Sequence, residues 1–167
     1  MKRILANAAA LALVAASSLP ASAQEGTLTI RVLTPEAALA AALAAQKKCR
    51  DSGWQVAVAV VDRAGVGQVM LRDRFAGPHT PRTAIGKAWT AVSFRSGTTE
   101  LARMTQPGQP QSGARGIRGT VMLGGGLLIE SQGSILGGIG VSGAPGGDAD
   151  DACARAGIDA IRDRIEF

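Results

Sequence analysis

The valine-rich segment QVAVAVVD, residues 55–62, constrains the fold most, because it predicts a buried strand that turns straight back into a second one. Its length and β-branched content are typical of a strand covered on both faces. Arg63, Ala64 and Gly65 form the predicted turn, and residues 67–72 return antiparallel to the first strand. A hairpin here departs from the strict strand–helix alternation of a parallel sheet. The segment therefore favours an α+β fold around an antiparallel sheet.

The segments on either side of the hairpin supply the helices of this fold. Thr34 followed by Pro35 predicts a helix start, with an N-cap hydroxyl and proline at the first position, and the alanine-rich stretch runs to about Asp51. Thr80 followed by Pro81 predicts a second helix start in the same way. The remaining predicted elements are a short helix at 98–104, a loop rich in Pro and Gly at 105–119, strands at 127–130 and from 135, and a last helix capped by Asp148.

Gly138, Gly140 and Gly143 spell G-x-G-x-x-G, the spacing of a dinucleotide-binding turn. That turn requires a helix that opens at the last glycine and a strand that returns after it. Residues 144–147 instead read APGG, and one predicted helix follows without a returning strand. We therefore expect these glycines to let a strand pass close to another backbone or to a flat ligand.

Residues 1–23 resemble a secretory signal peptide. Lys2 and Arg3 give a basic start, an apolar stretch follows, and small residues precede a predicted cleavage site after Ala23. The apolar stretch is too short to span a bilayer. The sequence thus predicts a periplasmic or secreted protein without a membrane span, with a single domain over residues 24–167.

The charge of the chain argues against nucleic acid as a partner. Without Lys2 and Arg3 the formal net charge falls from +5 to +3. No run of basic residues is interleaved with aromatic ones, and tyrosine is absent. The basic residues are better explained as a solvated surface or as local contacts to anions.

The two cysteines fall on small-residue stripes of the first and last predicted helices. Cys49 continues a stripe that contains Ala42 and Ala45, and Cys153 shares a stripe with Ala156. Such stripes allow two helices to approach closely. An exported protein permits a Cys49–Cys153 disulfide, but two small buried thiols explain the pattern equally well, so the sequence leaves both readings open.

His79 is the sole histidine, which excludes HExxH sites and other zinc sites built on histidine pairs. It lies between two prolines at a predicted helix start, where the positive end of the helix dipole favours a neutral ring. A neutral imidazole suits iron, and haem also needs apolar walls and cations for its propionates. Residues nearby that could serve are Val69, Leu71, Phe75, Trp89 and Phe94 as walls, and Arg72, Arg74, Arg82, Lys87 and Arg95 as cations. Each has an ordinary structural explanation, so spacing alone leaves haem as one hypothesis among several.

Three segments together resemble the GlcG/HbpS family of haem-binding proteins, which is related to the C-terminal domain of PduO. They are VAVVDRAGVGQVMLRDRFAG, TAIGKAWTAVSF and GGIGVSGAPGGDADDACARAGIDAI. The resemblance extends over residues 33–161 and includes the acidic pair Asp150 and Asp151. The chain departs from the family pattern at residues 74–77, which lead to His79.

The resemblance implies a profilin-like α+β domain, with a central antiparallel sheet, helices on both faces, and the first and last helices packed together. It also implies a homo-oligomer that binds b-type haem non-covalently for capture, storage or sensing. We expect His79 to be the metal ligand, and the other cofactor contacts to be Arg72, Arg74, Phe75, Arg82, Lys87, Thr98, Gly140 and Ser142. The alternative is an enzyme or enzyme accessory of glycolate or diol utilisation, which would bind a small organic acid or another flat cofactor with Lys87, Asp62 and residues 140–143. A non-enzymatic role is the favoured hypothesis.

Overall fold

The computed structural model describes residues 26–166. The chain divides into two units, Met1–Ile30 and Arg31–Phe167, and the second contains all the helices and strands described below. The predicted signal peptide, residues 1–23, lies outside the described residues. Among residues 26–166, no helix is both long enough and apolar enough to cross a membrane.

Residues 31–166 of the second unit form five α-helices and four strands, a mixture typical of an α+β domain. The helices are α1 (Pro35–Asp51), α2 (Thr80–Phe94), α3 (Thr98–Met104), α4 (Gly147–Asp159) and α5 (Arg162–Ile165). The strands are β1 (Ala57–Asp62), β2 (Gly67–Arg72), β3 (Gly126–Ser131) and β4 (Ser134–Ser142). A short 3₁₀ helix, Ser112–Gly116, lies within the loop that joins α3 to β3.

The strands form one antiparallel sheet in the order β2-β1-β4-β3. The predicted hairpin is confirmed, since Val60 of β1 pairs with Val69 of β2. On its other side Val60 pairs with Ile139 of β4, which makes β1 a central strand. This position explains why β1 is almost entirely apolar: both of its faces are covered.

Alternate residues of β1 contact helices on opposite faces of the sheet. Val58 and Val60 belong to the main hydrophobic core, which α1 and α4 cover. Ala57 and Ala59 pack instead with Ala84 of α2. The fold predicted from the family resemblance, with helices on both faces of the sheet, is therefore confirmed.

Helices α1 and α4 lie against each other and are joined covalently. Cys49 and Cys153 form a disulfide, with their Cα atoms 5.6 Å apart. Close approach depends on small residues, because a Cβ added at Gly157 of α4 would lie 2.6 Å from the Ala41 carbonyl oxygen of α1. The sequence left open whether the cysteines form a disulfide or remain two buried thiols, and in the structure they form the disulfide.

The glycines of β4 allow α2 to pack directly on the sheet. A Cβ added at Gly140 would lie 2.0 Å from the Ala84 carbonyl oxygen, far inside a normal contact. Gly143 has a φ of +131°, and a Cβ there would lie 2.6 Å from the Gln55 carbonyl oxygen. Of the two expectations for these glycines, close passage of another backbone is the one observed.

One predicted helix cap is confirmed and two are wrong. Thr34 caps α1, its hydroxyl accepting a hydrogen bond from the Ala37 amide at 3.2 Å. Thr80 does not cap α2: it is the first helical residue, and its hydroxyl donates to the Gly77 carbonyl at 2.8 Å. Asp148 does not cap α4, which begins one residue earlier at Gly147. Gly147, the first helical residue, packs so closely on Gly124 that a side chain at either position would collide.

Candidate functional site

A cleft of about 440 Å³ lies between α2 and the turn that joins β4 to α4. We call it the His79 cleft. Its lining includes Gly77, His79, Lys87, Gly124, Ser142, Ala144 and Asp150. The volume is within the range of pockets that hold small molecules and cofactors, roughly 300–1,000 Å³.

His79 lies at the mouth of this cleft, exposed, on the N-cap residue of α2. Its ring rests on the backbone of Gly77, where an added Cβ would lie 2.9 Å from Nδ1. The imidazole forms no hydrogen bond with any other residue in 26–166. The imidazole nitrogens of this exposed side chain are therefore not used by another protein group in the described structure.

A buried ion pair forms the floor of the cleft. The Lys87 Nζ lies 2.7 Å from Asp150 Oδ2 and also donates to the Val141 carbonyl at 2.9 Å. The other carboxylate oxygen of Asp150 accepts a hydrogen bond from the Ala144 amide at 3.1 Å. Burial raises the pKa of Asp150, and the positive charge of Lys87 opposes that increase. The floor thus holds two compensated charges rather than a free cation.

Asp151, the next residue, supports the opposite wall through a second set of contacts. One of its carboxylate oxygens accepts from the Gly125 amide and the other from the Thr99 hydroxyl, both at 2.6 Å. Nearby, the Thr98 hydroxyl accepts from the Gly126 amide at 2.8 Å. The hydrogen bonds of Asp151 thus connect α3 and the glycine-rich segment before β3 to the start of α4.

Three of the predicted site residues meet in the cleft: His79, Lys87 and Ser142. Arg74 and Phe75 lie on the loop that leads to His79, and the Phe75 side chain is 80% exposed. Arg72 precedes this loop, and its guanidinium donates to the Ala76 carbonyl oxygen. The loop that departs from the family pattern therefore forms one border of the site.

Other predicted contacts lie elsewhere in the described structure. Arg82 faces a neighbouring pocket that also contains Trp89. Thr98 is buried in its contact with Gly126, and Gly140 is covered by α2. None of these three residues lines the His79 cleft.

The apolar walls predicted for a haem slot are not brought together by the fold. Val69 and Leu71 pack on the core at the α1 side of the sheet, and Phe94 lines a third pocket, beside α3. The apolar part of the His79 cleft comes instead from Leu123, Ala144 and several glycines. The residues proposed for the small-acid alternative do not meet either. Asp62 accepts hydrogen bonds in the hairpin turn at the C-terminal end of β1, whereas Ser142 pairs with Ala57 at the N-terminal end of that strand.

Sequence reasoning missed two features of the site. Asp150 was noted only as part of the acidic pair that the family resemblance includes, yet its carboxylate reaches Lys87, which is 63 positions away. The triple glycine, residues 124–126, received no role from the sequence, yet Gly124 lines the cleft and packs against Gly147 of α4. The run of three glycines before a strand was the available signal for the second feature, since such a run permits close backbone approach.

Comparison with known proteins identifies the family of this fold and site. Residues 33–159 match the family described as haem degrading protein HbpS-like. A double mutant of HbpS from Streptomyces reticuli is similar in structure, with 39% sequence identity and a TM-score of 0.75 over 93% of this chain and 99% of that one. The structure of PduOC in complex with haem has 30% identity and a TM-score of 0.73, and covers 78% of this chain and 95% of that one.

Among curated sequences, the corrinoid adenosyltransferase PduO of Salmonella typhimurium is 34% identical over 102 residues, which are 60% of this chain. The matched region is 30% of PduO, so the chain spans less than a third of that relative. The family match covers most of the present chain, including β1 to α4 and every residue of the His79 cleft named above. The chain therefore belongs to the HbpS-like family.

Proposed function

We propose that this protein binds haem at the His79 cleft. The observation that carries the proposal is the imidazole of His79, which lies at the mouth of a preformed cleft with no hydrogen-bond partner among residues 26–166. The solved complex of a related domain with haem supports the choice of ligand. Bound haem would supply an iron centre with redox and ligand-binding chemistry.

The donor set of the cleft fits this ligand. His79 offers a nitrogen that no other side chain uses, and Gly77 leaves the space in which the ring sits. Leu123 and Ala144 offer apolar surface beside it. A porphyrin is larger than the cleft, so the rest of its surface would extend over the exposed loop that carries Arg74 and Phe75.

The propionates require cations that are not already paired. Lys87 is neutralised by Asp150, which makes it a poor partner for a propionate. Arg74 is exposed and forms no hydrogen bond or ion pair within the described part of the chain. We therefore assign the propionate contact to Arg74, with Phe75 against the porphyrin edge.

The wider role follows from the same proposal. An exported haem-binding protein would carry out haem capture, storage or sensing outside the cytoplasm, and the basic, apolar and small-residue pattern of residues 1–23 supports export. Homo-oligomeric assembly, as the family resemblance implies, belongs to the proposal as well. Size-exclusion chromatography with light scattering, with and without haemin, measures that assembly directly.

A haemin titration of the purified protein tests the central proposal. The Soret band of the native protein is expected to change in a saturable way at one equivalent per chain. His79→Ala is expected to weaken binding by roughly tenfold or more and to move the Soret maximum, because the iron would lose the nitrogen ligand that His79 would supply. Gln109→Ala, an exposed position in the loop before β3 that does not line the cleft, is the matched control and should titrate like the native protein.

Iron-free protoporphyrin distinguishes ligation of the iron by His79 from binding of the porphyrin ring by the cleft. If His79 acts through iron, the iron-free ring should bind native protein and His79→Ala with similar affinity. A native-like Soret spectrum in His79→Ala would show that another residue ligates the iron. Absence of saturable binding by the native protein would reject the haem proposal itself.

A further inference from the structure

A second pocket, of about 540 Å³, lies along α2 beside the His79 cleft. Its walls come from α2, from the turn between β1 and β2, and from the end of the loop before β3. We call it the Trp89 pocket; its lining includes Gly65, Arg82, Trp89, Arg118, Gly119 and Val121. Thr83 lines both this pocket and the His79 cleft, so the two sites are adjacent, and their other lining residues differ.

The indole of Trp89 is held between two stretches of backbone. A Cβ added at Gly65 would lie 2.6 Å from the indole Cδ1, so the hairpin turn rests on one edge of the ring. A Cβ added at Gly119 would lie 3.9 Å from Cζ3, at ordinary contact distance. The absence of a Cβ at Gly65 allows the close approach to the indole, and both glycines have positive φ, which favours glycine at these positions. The ring is thus fixed in place while still half-exposed to the pocket.

Val121, which also lines the pocket, is held in place by α2. The Val121 amide donates to the Thr90 hydroxyl at 2.9 Å, and that hydroxyl donates to the Gly86 carbonyl at 2.7 Å. The Val121 side chain occupies the space above Gly86, where a Cβ would lie 2.5 Å from its Cγ2. A preformed pocket of this kind loses little conformational entropy when a ligand binds.

Two guanidinium groups lie on the rim without partners. Arg82 and Arg118 are both exposed, and neither forms a hydrogen bond or ion pair with another residue between 26 and 166. No carboxylate belongs to the described lining of this pocket. Arginine recognises carboxylates through paired N–H donors, and an indole stacks on flat conjugated rings.

We propose that the Trp89 pocket is a second ligand site, which binds a flat aromatic carboxylate. The ring of the ligand stacks on Trp89, and its carboxylates form salt bridges with Arg82 and Arg118. This site uses no iron and no residue of the His79 cleft other than Thr83, so it goes beyond haem binding and does not depend on it.

Naphthalene-2,6-dicarboxylate is a suitable probe because Trp89 reports on it directly. The chain has two tryptophans, so the measurement uses the full protein with Trp54→Phe, which leaves Trp89 as the only indole. Saturable quenching of its fluorescence is expected. Arg82→Gln or Arg118→Gln should each weaken binding by roughly tenfold, as expected for the loss of a charge-assisted contact. Arg103→Gln, which removes an exposed arginine outside the pocket, is the matched control and should change nothing.

The neutral diamide of the same ring tests the role of charge, and His79→Ala tests the location. Binding of the dicarboxylate that exceeds binding of the diamide and survives His79→Ala supports the proposal. Absence of saturable quenching up to millimolar probe, or equal binding of the diamide, would overturn it. Loss of quenching in His79→Ala would overturn it too, since it would locate the ligand in the cleft. Because haemin ligation is read from the Soret band and this site from Trp89, either proposal can fail while the other stands.

Discussion

Lys87 and Asp150 form a buried ion pair that joins the middle of α2 to the first turn of α4, with 2.7 Å between Nζ and Oδ2. Only 3% of the Lys87 side chain and 6% of the Asp150 side chain are exposed. The pair holds the two helices on either side of the His79 cleft at a fixed separation. Its main role is accordingly to shape the site, and its charges are already used within the protein.

Lys87→Met is expected to destabilise the protein by roughly 3–5 kcal/mol, because it leaves the Asp150 carboxylate buried without a cation. Urea unfolding at neutral pH measures the loss. Lys47→Met is the matched control, since Lys47 pairs with Asp51 on the surface of α1 and such pairs contribute about 1 kcal/mol or less. Similar losses from both substitutions would contradict the assigned role of the buried pair.

The stability contributed by Asp150 is expected to fall as the pH rises. Burial raises its folded-state pKa above the usual 3.8, so the folded state binds this proton more tightly than the unfolded state. That contribution is complete below pH 3.8 and is lost as the pH rises through the raised pKa. The free energy of unfolding of the native protein, minus that of Asp150→Asn, should therefore decrease across this range. A difference that grows with pH would mean that Lys87 outweighs the cost of burial.

Replacement of both Cys49 and Cys153 by alanine is expected to lower the free energy of unfolding by about 4–5 kcal/mol. The two residues are 104 positions apart, and the loss of so large a closed loop increases the entropy of the unfolded chain. Chemical denaturation of the double variant and of oxidised native protein checks the value. Native protein under reducing conditions should resemble the variant, and a thiol assay without reductant should detect no free cysteine among residues 26–166.

Gly140→Ala is expected to destabilise the fold by roughly 1–3 kcal/mol or more, through overpacking between α2 and β4. The added methyl would lie 2.0 Å from the Ala84 carbonyl oxygen, so α2 would have to move away from the sheet. Gly116→Ala is the control, because a Cβ at Gly116 meets nothing within 4 Å. Thermal unfolding of the two variants compares them. Equal melting temperatures would show that α2 can shift at little cost.

Much of the fold was predictable because it depends on local patterns. The β-branched run of β1, followed by a turn ending at Gly65, predicted the hairpin that the structure contains. The Thr34 cap was also predictable, because the hydroxyl and the amide that it accepts from are three residues apart. The cap predictions at Thr80 and Asp148 were wrong, since the Thr80 hydroxyl donates to the Gly77 carbonyl and α4 begins at Gly147, which packs on the distant Gly124.

The candidate site was predictable only in part. His79, Lys87 and Ser142 were identified from their positions in motifs, and they do line one cleft. Arg82 was grouped with them as one of several nearby cations for a propionate, but it lines the Trp89 pocket. Closeness in sequence does not decide which of two adjacent pockets a long, flexible side chain lines.

By itself the sequence determined the number and order of the main helices and strands, the α+β class and the likeness to a known family. Each of these depends on periodicity and turn residues within a short span of chain. Only the tertiary structure decided that Cys49 bonds to Cys153, that Lys87 is neutralised by Asp150, and that Arg82 lines the Trp89 pocket. These features depend on contacts between residues that are distant along the chain, and such contacts exist only after the helices have packed on the sheet.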